Sequence, residues 1–449
     1  MTILARVRRW CFHLAHGRRG AEVQIPCPPG LVPAVKQRTP AARSNLGSDF
    51  HKLWAATTVS LFGDAITGLA LPLTAALTLH ADALQMGLLT SVGMLPHLFL
   101  YLVAGAWVDR GRKRPFMITA DLARAALIGA IPLSALLGVL RMQELYLVAF
   151  GAGALKVFFD LAYGARVQSL LAPVDRVAAN SRLSLSRSVS FVGGPGLGGA
   201  LVQLLSAPFA LAADAASFLA SAFFVSWMRA SEPVRVSPRS GFWREIGQGI
   251  GYAFRHPILR PFYIWTTTMN FFNFAYSAVA ILYFVRVLNL PPALIGVPAA
   301  FAGVGAIAGS ILAPSVSRRL GLGWTAVLGE VTFTAGYLAV PLASGQRAAI
   351  VLVLSAGSIV TGLGLMLLDT TASTMFQALV PHDLMARTNA ATRQLNWGIR
   401  PLGAFVGGLL GQSIGLHSAV WVGTLGALLA ASALVLTRVR TYRGDASGP

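Results

Sequence analysis

Between two long apolar runs the chain reads GAWVDRGRKRP, residues 105–115, and five of the six residues from Asp109 to Arg114 are charged. The preceding apolar run, about residues 88–108, is long enough to cross a bilayer, because roughly 20 helical residues at ~1.5 Å rise cover ~30 Å of hydrocarbon. The charged stretch is therefore predicted to be a loop at a membrane surface. Four of its charges are basic, and short basic loops stay on the cytoplasmic side.

The composition agrees with a membrane protein. Of the 449 residues, 55% are hydrophobic and only 12% are charged, whereas soluble domains are about 25% charged. A net charge of +20 would by itself suggest nucleic acid or anionic lipid. The basic residues stand in short clusters between apolar runs, however, so membrane topology explains them better and no nucleic-acid partner is predicted. Cys11 and Cys27 have no metal-ligand spacing, and no metal site is predicted.

Twelve apolar runs in two sets of six predict an all-α polytopic protein. They lie at about 53–78, 85–108, 116–140, 144–170, 183–205 and 207–228, then at 258–288, 294–316, 323–344, 348–379, 388–414 and 417–437. The predicted domains are a six-helix bundle at 50–228, a cytoplasmic linker at 229–257 and a second six-helix bundle at 258–437.

The remaining segments are polar. Residues 1–49 are predicted to be a disordered cytosolic tail, and a wrongly assigned start codon explains them equally well; residues 438–449 are predicted to be a second cytosolic tail. In the linker, Phe242, Trp243, Ile246, Ile250 and Phe254 recur at helical spacing, which predicts a short amphipathic helix on the inner membrane surface.

The distribution of basic residues predicts the orientation. With both termini inside, the outer loops would hold only Arg141, Arg286 and Arg347, and the other basic loop residues would face the cytosol. This bias matches the rule that cytoplasmic loops are enriched in Lys and Arg. The chain is therefore expected to be a multi-pass protein of the cytoplasmic (inner) membrane, with both ends in the cytosol.

The two halves repeat weakly in sequence, as in transporters built from repeats. Asp160 and Gln168 in the fourth run correspond to Asp369 and Gln377 in the tenth, and the spacing is eight residues in both pairs. The fifth and eleventh runs are both rich in glycine. Their corresponding residues are Gly194, Pro195, Gly198 and Gly199 in the fifth, and Pro401, Gly403, Gly407 and Gly408 in the eleventh.

The charged loop resembles G-x-x-x-D-R-x-G-R-[KR], the signature between the second and third helices of the Major Facilitator Superfamily. Gly105, Asp109 and Arg110 match the pattern, and Lys113 and Arg114 supply its basic end. Arg112 stands where the second glycine is expected, with Gly111 one place early. In this the loop resembles the branch that contains macrolide-efflux-type and siderophore-exporter-type proteins.

This resemblance implies twelve transmembrane helices in two six-helix bundles around one central cavity. It also implies alternating access, and proton-coupled export of a small hydrophobic or amphipathic compound by a monomer. No cofactor is implied beyond the proton gradient. An importer or facilitator of the same fold stays open, because direction cannot be read from sequence. No G-x-S-x-G, H-E-x-x-H or phosphate-binding loop occurs, so an enzyme is not predicted.

Two sets of residues are predicted to act in the conformational change. By the resemblance, Asp109 with Arg110 and Arg114 would latch the inner gate; otherwise these charges only fix topology. Gly194, Pro195, Gly198 and Gly199 resemble the G-P-x-x-G-G core of the fifth-helix signature of drug/proton antiporters, although Ser190 replaces an upstream glycine. They would form a bend between the halves, or serve only tight helix packing.

Ionisable residues inside spans are costly and mark candidate coupling sites. Asp64, Asp160 and Asp369 lie deep in their runs. Lys156 is placed to pair with Asp160 four residues later, and Arg124 with Asp121 three residues earlier. Asp64 has no basic residue within one helical turn, so it is the predicted proton-exchange residue; the alternative is a hydrogen bond without titration.

The seventh run carries the predicted substrate-cavity residues. Asn270, Phe271, Asn273 and Tyr276 combine aromatic rings with amide groups, which would suit a bulky amphipathic solute. An ordinary aromatic contact between helices explains the same residues equally well.

Overall fold

A computed structural model describes residues 46–171, 175–229 and 242–444. Within its helices, nothing is described of the side chains at 101–103, 105–106, 109–110, 242–246, 382–383, 386 and 390–391. The predicted N-terminal tail lies outside the described residues up to position 45, but the first helix begins at Ser48, inside the range assigned to that tail. In the parts described, the regular elements are all helical, which confirms the predicted all-α fold class.

The first half consists of six long helices. They are α1 (Ser48–Leu73), α2 (Ala83–Arg110), α3 (Lys113–Leu136), α4 (Met142–Leu170), α5 (Arg176–Leu205) and α6 (Ala207–Ser226). A π-helical turn (Thr74–Thr78) extends α1, so that the first span reaches from Ser48 to Thr78.

The second half follows a shorter helix, α7 (Phe242–Arg255). Its long helices are α8 (Leu259–Arg286), α9 (Pro292–Leu320), α10 (Leu322–Ala335), α11 (Arg347–Leu379), α12 (His382–Ser413) and α13 (Leu416–Ala433). After Ala335, the chain continues in the same span through a 3-10 turn (Gly336–Leu338) and one helical turn (Ala339–Leu342).

The two halves repeat one packing scheme. In the first half, α1 packs on α5 and α6, α3 packs on α4 and α6, and α2 packs on α4. In the second half, α8 packs on α12 and α13, α10 packs on α11 and α13, and α9 packs on α11. Since the helices correspond in order, the weak sequence repeat reflects a structural one. Between the halves, α2 packs on α12 and α5 packs on α9.

In the described part of the chain, eleven helices are long and apolar enough to cross a membrane. The eleventh predicted span, at 388–414, is not among these eleven helices. It corresponds to α12, which has 32 residues and whose sequence includes Arg387, Arg393 and Arg400. Charges inside a membrane are tolerated where they face protein or a water-filled cavity. The helix α12 meets this condition because it lies between α2, α7 and α8.

Two segments outside the long helices, α7 and the residues after α13, pack on the second half of the protein. The helix α7 contacts the second half, where Tyr252 donates a hydrogen bond to the Leu379 carbonyl (2.6 Å) and Arg387 donates one to Gln248 (2.8 Å). It therefore packs on protein in addition to any membrane surface. Part of the predicted C-terminal tail packs on α10, since the Gly323 N–H donates to the Tyr442 carbonyl (2.7 Å).

The bundle has two chemically different ends. We call one the basic end, and it contains the helix junctions at Gly111, Arg112, Asp175, Arg229, Gly321 and Pro381. We call the other the opposite end, and it contains the junctions at His80, Arg141, Ser206, Asn289, Gln346 and Gly415.

Candidate functional site

A cavity of about 410 Å³ lies between the first half and α12. This volume falls in the ~300–1,000 Å³ range of small-molecule sites. The described lining comes from α1, α3, α4 and α5 of the first half and from one residue of α12. It consists of Thr57, Ser60, Leu61, Asp64, Arg124, Lys156, Phe159, Asp160, Leu161, Tyr163, Gly164, Arg187 and Arg393.

Asp64 of α1 lies at the centre of an ionic cluster in this cavity. One carboxylate oxygen accepts a hydrogen bond from Arg124 of α3, and the other accepts one from Lys156 of α4 at 2.8 Å. The Arg124 side chain is only 3% exposed, whereas Lys156 is 35% exposed. Lys156 also lies 3.8 Å from Asp160. The cluster thus joins three helices and places alternative carboxylate partners around one lysine.

The premise that Asp64 has no basic partner is wrong. Arg124 and Lys156 both pair with it from other helices, and reasoning confined to one helical turn of α1 does not reach them. The predicted pairs Lys156–Asp160 and Arg124–Asp121 are present, each at 3.8 Å. Both are longer than the contacts that the same two cations make with Asp64, so Asp64 is the main partner of both.

The third predicted coupling residue, Asp369, lies apart from this cluster. It is exposed on α11, and no ion pair involving it is found among the described residues. Position 365, one turn before it, is Leu365, whereas Asp160 has Lys156 one turn before it. The sequence repeat therefore conserves the carboxylate position between the halves but not its cationic partner.

The predicted glycines of α5 are sites of close helix packing. A Cβ added to Gly194 would collide with the Ala65 side chain of α1, and one added to Gly198 would lie 3.3 Å from the Ile66 Cα. A Cβ on Gly199 would lie 2.7 Å from the Pro292 carbonyl oxygen of α9, in the other half. Two of these glycines thus bind α5 to its own half, and one lies in the contact between halves.

The helix α12 repeats this arrangement with identical spacing. Cβ atoms on Gly403 and Gly407 would collide with the α8 backbone at Phe271 and Ala275, in the same half. A Cβ on Gly408 would lie 2.7 Å from the Gly87 Cα of α2, in the first half. The geometry accounts for both glycine sets by packing, and a bend at Pro195 stays a prediction.

The described contacts between the halves extend from the opposite end to the middle of the bundle. We call three of them the opposite-end seal: Gly87 against Gly408, Gly199 against Pro292, and the hydrogen bonds of Arg286 to the carbonyls of His80 (3.0 Å) and Ala81 (2.8 Å). Nearer the middle, the His97 ring stacks on Trp397 with centroids 4.9 Å apart. The cavity lies on the basic-end side of the seal.

The charged loop is held by its own lysine and arginine. Lys113 donates to the carbonyls of Val108 (2.6 Å) and Gly111 (2.9 Å), which caps the end of α2. Arg114 donates to the carbonyls of Val225 (3.2 Å) and Ser226, at the end of α6 in the same half. The side chains of Asp109 and Arg110 and the surroundings of Gly105 are outside the described residues, so the predicted latch stays a prediction.

The predicted cavity residues of α8 do not belong to the described lining of the 410 Å³ cavity. Asn270 donates to Asn396 of α12 (3.1 Å), and the Phe271 carbonyl lies against Gly403. Asn273 is half-buried on the same helix. Tyr276 lines a second cavity of about 210 Å³. These contacts match the alternative of helix packing, and a role in substrate binding stays a prediction.

Sequence reasoning missed two cationic residues of the cavity. Arg187 comes from α5 and Arg393 from α12. A signal was available for Arg187, because it falls inside the predicted fifth span at 183–205, where an ionisable residue marks a functional candidate. Arg393 falls within the eleventh predicted span, and the same reasoning applies to it.

Comparison with known proteins agrees with this fold. The profile of the Major Facilitator Superfamily matches residues 53–399. The chain belongs to the Major Facilitator Superfamily. It is a multi-pass membrane transporter of that superfamily, and its relatives are transporters rather than enzymes.

Relatives and solved structures cover most of the chain. The multidrug efflux pump Tap of Mycolicibacterium fortuitum is 27% identical over 380 residues, covering 82% of this chain and 90% of Tap. The nucleoside transporter NupG aligns with a TM-score of 0.71 at 12% identity, covering 87% of this chain and 99% of NupG. A bacterial homologue of the iron transporter ferroportin in its inward-facing state aligns with a TM-score of 0.69 at 18% identity, covering 86% and 98%. Such structural likeness shows the superfamily fold.

Proposed function

We propose that this transporter exports a small hydrophobic or amphipathic compound across the inner membrane in exchange for protons. The similarity to Tap, which is named a multidrug efflux pump, supports export and the class of compound. The bacterial origin of that relative supports the inner membrane. The cavity holds an ionisable cluster around Asp64, and ionisable groups inside spans mark candidate coupling sites. Because Arg124 and Lys156 favour the charged form of Asp64, Asp64 would bind a proton in a state where these contacts have loosened.

The observation that carries the proposal is a carboxylate with two cationic partners on the wall of a drug-sized cavity. When Asp64 binds a proton, it loses the charge that holds Arg124 and Lys156. Lys156 then has Asp160, 3.8 Å away, as its remaining carboxylate partner. A rearrangement of this kind connects proton binding to the positions of α1, α3 and α4, because each contributes one member of the cluster.

The proposed orientation places the basic end in the cytosol, following the rule for basic loops. In that orientation the cavity is on the cytosolic side of the opposite-end seal, where a compound to be exported would enter. Closure of the basic end and opening of the seal would then expose the cavity to the outside. Alternating access of this form is expected of two repeated bundles that move against each other.

The test is transport in proteoliposomes with an imposed pH gradient. A panel of anionic, neutral and cationic fluorescent dyes serves as substrates, and we expect the gradient to accelerate movement of at least one dye. Asp64→Asn should abolish this acceleration while dye exchange without a gradient continues. Asp82→Asn is the matched control, since Asp82 caps α2 at the opposite end and asparagine is an equally good cap. If wild-type transport did not depend on the pH gradient, the protein would be a facilitator instead.

A further inference from the structure

The second half contains a fully buried carboxyl group that does not belong to the Asp64 cluster. Glu330 lies on α10 and is 0% exposed. The span that contains it reaches from Leu322 to Leu342, so Glu330 lies roughly 12 Å along the helix from its first residue. An ionisable side chain at such a depth marks a functional candidate.

The described contacts of Glu330 do not include a cation. Thr266 of α8 donates a hydrogen bond to the carboxyl oxygen Oε2 at 3.3 Å, and Oε1 has no hydrogen-bond partner in the described part of the protein. No ion pair of Glu330 is found among the described residues. One long hydrogen bond from a hydroxyl group compensates a buried negative charge poorly. The carboxyl group is therefore expected to bind a proton and stay neutral.

The charged groups of the neighbouring elements lie at the protein surface. Besides the contact with α8 through Thr266, α10 packs on α9, α11, α13, the 3-10 turn that follows it and residues 438–443. Every arginine on these elements is exposed, and so are Asp369 and His417. The described surroundings of Glu330 thus supply no buried counter-charge. The charged and titratable residues of these elements are Arg260, Tyr263, Tyr276, Tyr283, Arg286, Arg318, Arg319, Tyr337, Arg347, Asp369, His417, Arg438, Arg440, Tyr442 and Arg443.

The helices beside Glu330 pack through apolar side chains. Met269 of α8 and Ala427 and Ala430 of α13 form a buried cluster, against which Trp265 and Phe333 pack. Trp265 precedes Thr266 on α8, and Phe333 follows Glu330 by three residues on α10. An apolar environment of this kind excludes water and disfavours the charged form of a carboxyl group.

The corresponding helix of the first half has a carboxyl group at the same place. Asp121 is the ninth residue of α3, as Glu330 is of α10, and both are 0% exposed. Three residues later α3 has Arg124, which lies 3.8 Å from Asp121, whereas α10 has Phe333. The repeat thus has the acid in both halves and the cation in the first. In the second half a proton can neutralise the acid in place of that cation.

We propose that Glu330 is a second proton-binding site of the transporter, which holds a proton in this conformation and exchanges it with water when α8 and α10 separate. Separation would break the hydrogen bond from Thr266 and admit water to the carboxyl group. This inference goes beyond proton exchange at Asp64, since Glu330 lies in the other half and has a different hydrogen-bond partner. A proton site in each half allows one transport cycle to carry two protons.

The experiment measures the protonation state of the glutamate side chains by infrared spectroscopy. The full-length protein is produced with ¹³C at the side-chain carboxyl carbon of glutamate and studied in nanodiscs at neutral pH. The difference from the unlabelled protein separates glutamate bands from those of aspartate and lipid esters. Of five glutamates in the chain, Glu144 and Glu330 have described side chains. We expect a C=O band of a protonated carboxyl group that disappears in Glu330→Gln and shifts in heavy water.

Further variants assign the band to this contact. Thr266→Val removes the hydrogen bond and should move the band to higher wavenumber, whereas Thr266→Ser should leave it nearly in place. Both keep Glu330, so they remain informative if Glu330→Gln does not fold. Glu144→Gln is the matched control and should leave the band unchanged, because Glu144 lies near the opposite end, where Ser134 donates to it (2.7 Å). Monodisperse elution verifies that each variant is folded.

The outcomes separate this inference from the proposed function. The absence of a protonated glutamate band, or a band unchanged in both Glu330→Gln and Thr266→Val, would overturn the site. A band that does not shift in heavy water would also overturn it, because the carboxyl group would then be a static structural element. An exchanging band at Glu330 together with transport that is independent of the pH gradient would leave the site standing and overturn proton-driven export.

Discussion

The backbones of α2 and α12 touch at Gly87 and Gly408, where a Cβ added to Gly87 would lie 2.6 Å from the Gly408 Cα. This contact joins the two halves near the opposite end. Gly199 and Pro292 form the corresponding contact between α5 and α9. Since helices packed through glycine leave no room for a side chain, the smallest substitution at these positions should separate the halves.

Gly408→Ala should shift the protein toward a state in which the opposite end is open. The added Cβ would meet backbone atoms of α2 at 2.7–2.8 Å, and overpacking costs about 1–3 kcal/mol, enough to change a ratio of two states roughly 5- to 150-fold. The measurement is labelling of Ser91→Cys, buried beside Pro401, by a water-soluble thiol reagent in a Cys11→Ser, Cys27→Ser background. Gly196→Ala, where a Cβ meets nothing within 4 Å, is the control. Equal labelling in both variants would contradict the prediction.

Asp64 and Lys156 should show strong energetic coupling. Asp64 and Lys156 are partly buried, and removing one member of the pair leaves its partner less well compensated. The destabilisations by Asp64→Asn and Lys156→Met should therefore sum to more than the destabilisation by the double variant. We expect a coupling energy of about 1–3 kcal/mol from thermal unfolding in detergent. The pair Asp49–Lys52, three residues apart on α1 and at 2.9 Å, is the comparison, with an expected coupling of about 0.2–0.5 kcal/mol as for pairs on one helix. Additive effects at Asp64 and Lys156 would mean that the pair is screened by water.

The turn between α2 and α3 should tolerate a glycine at Arg112 but not a side chain at Gly111. Arg112 has φ −72° and ψ 128° and Gly111 has φ −101° and ψ 170°, which any residue adopts. A Cβ on Gly111, however, would collide with the Phe116 ring. Arg112→Gly should therefore transport almost normally, and Gly111→Ala should transport less in the same vesicles. The reverse ranking would show that position 111 has room for a side chain and that the Arg112 side chain is itself required.

Single cysteines should establish which end of the bundle faces the cytosol. Gln346→Cys lies in an exposed junction at the opposite end, and Val177→Cys is 77% exposed beside the basic end. Ala83 would be a poor site although it lies at the same end as Gln346, because it is only 5% exposed. In intact cells an impermeant thiol reagent should label Gln346→Cys, and Val177→Cys only after lysis. Labelling of both in intact cells would contradict the proposed topology.

Periodicity and charge were sufficient to predict most of the fold. Each long apolar run became a helix, and the loop at Gly111 and Arg112 fell between α2 and α3 as predicted. The run at 388–414 contains Arg393 and Arg400, and such charges weaken the prediction of a span from composition alone. Its span was still recognisable because the pattern of Gly403, Gly407 and Gly408 repeats that of α5.

The ionic cluster could be predicted only in part. Pairs on one helix, such as Lys156 with Asp160, follow from a spacing of four residues. The contacts of Asp64 with Arg124 and Lys156 depend on the order of helices around the bundle, and a single sequence does not contain that order. The sequence did not predict the position of the 410 Å³ cavity for the same reason. The cavity lies against α1 and α4 instead of the aromatic cluster around Asn270 on α8.

The seal at the opposite end consists largely of backbone packed on backbone, and among its described contacts the charged side chain is that of Arg286. Its peptide groups at Gly87, Gly199 and Gly408 lie within helices, so separating the halves there breaks little beyond van der Waals contact. The free energies of the inward-open and outward-open states should therefore differ by only a few kcal/mol. A difference of this size is typical of proteins whose conformational equilibrium a ligand can shift. A cavity occupant or a single proton would then be enough to reverse which population dominates.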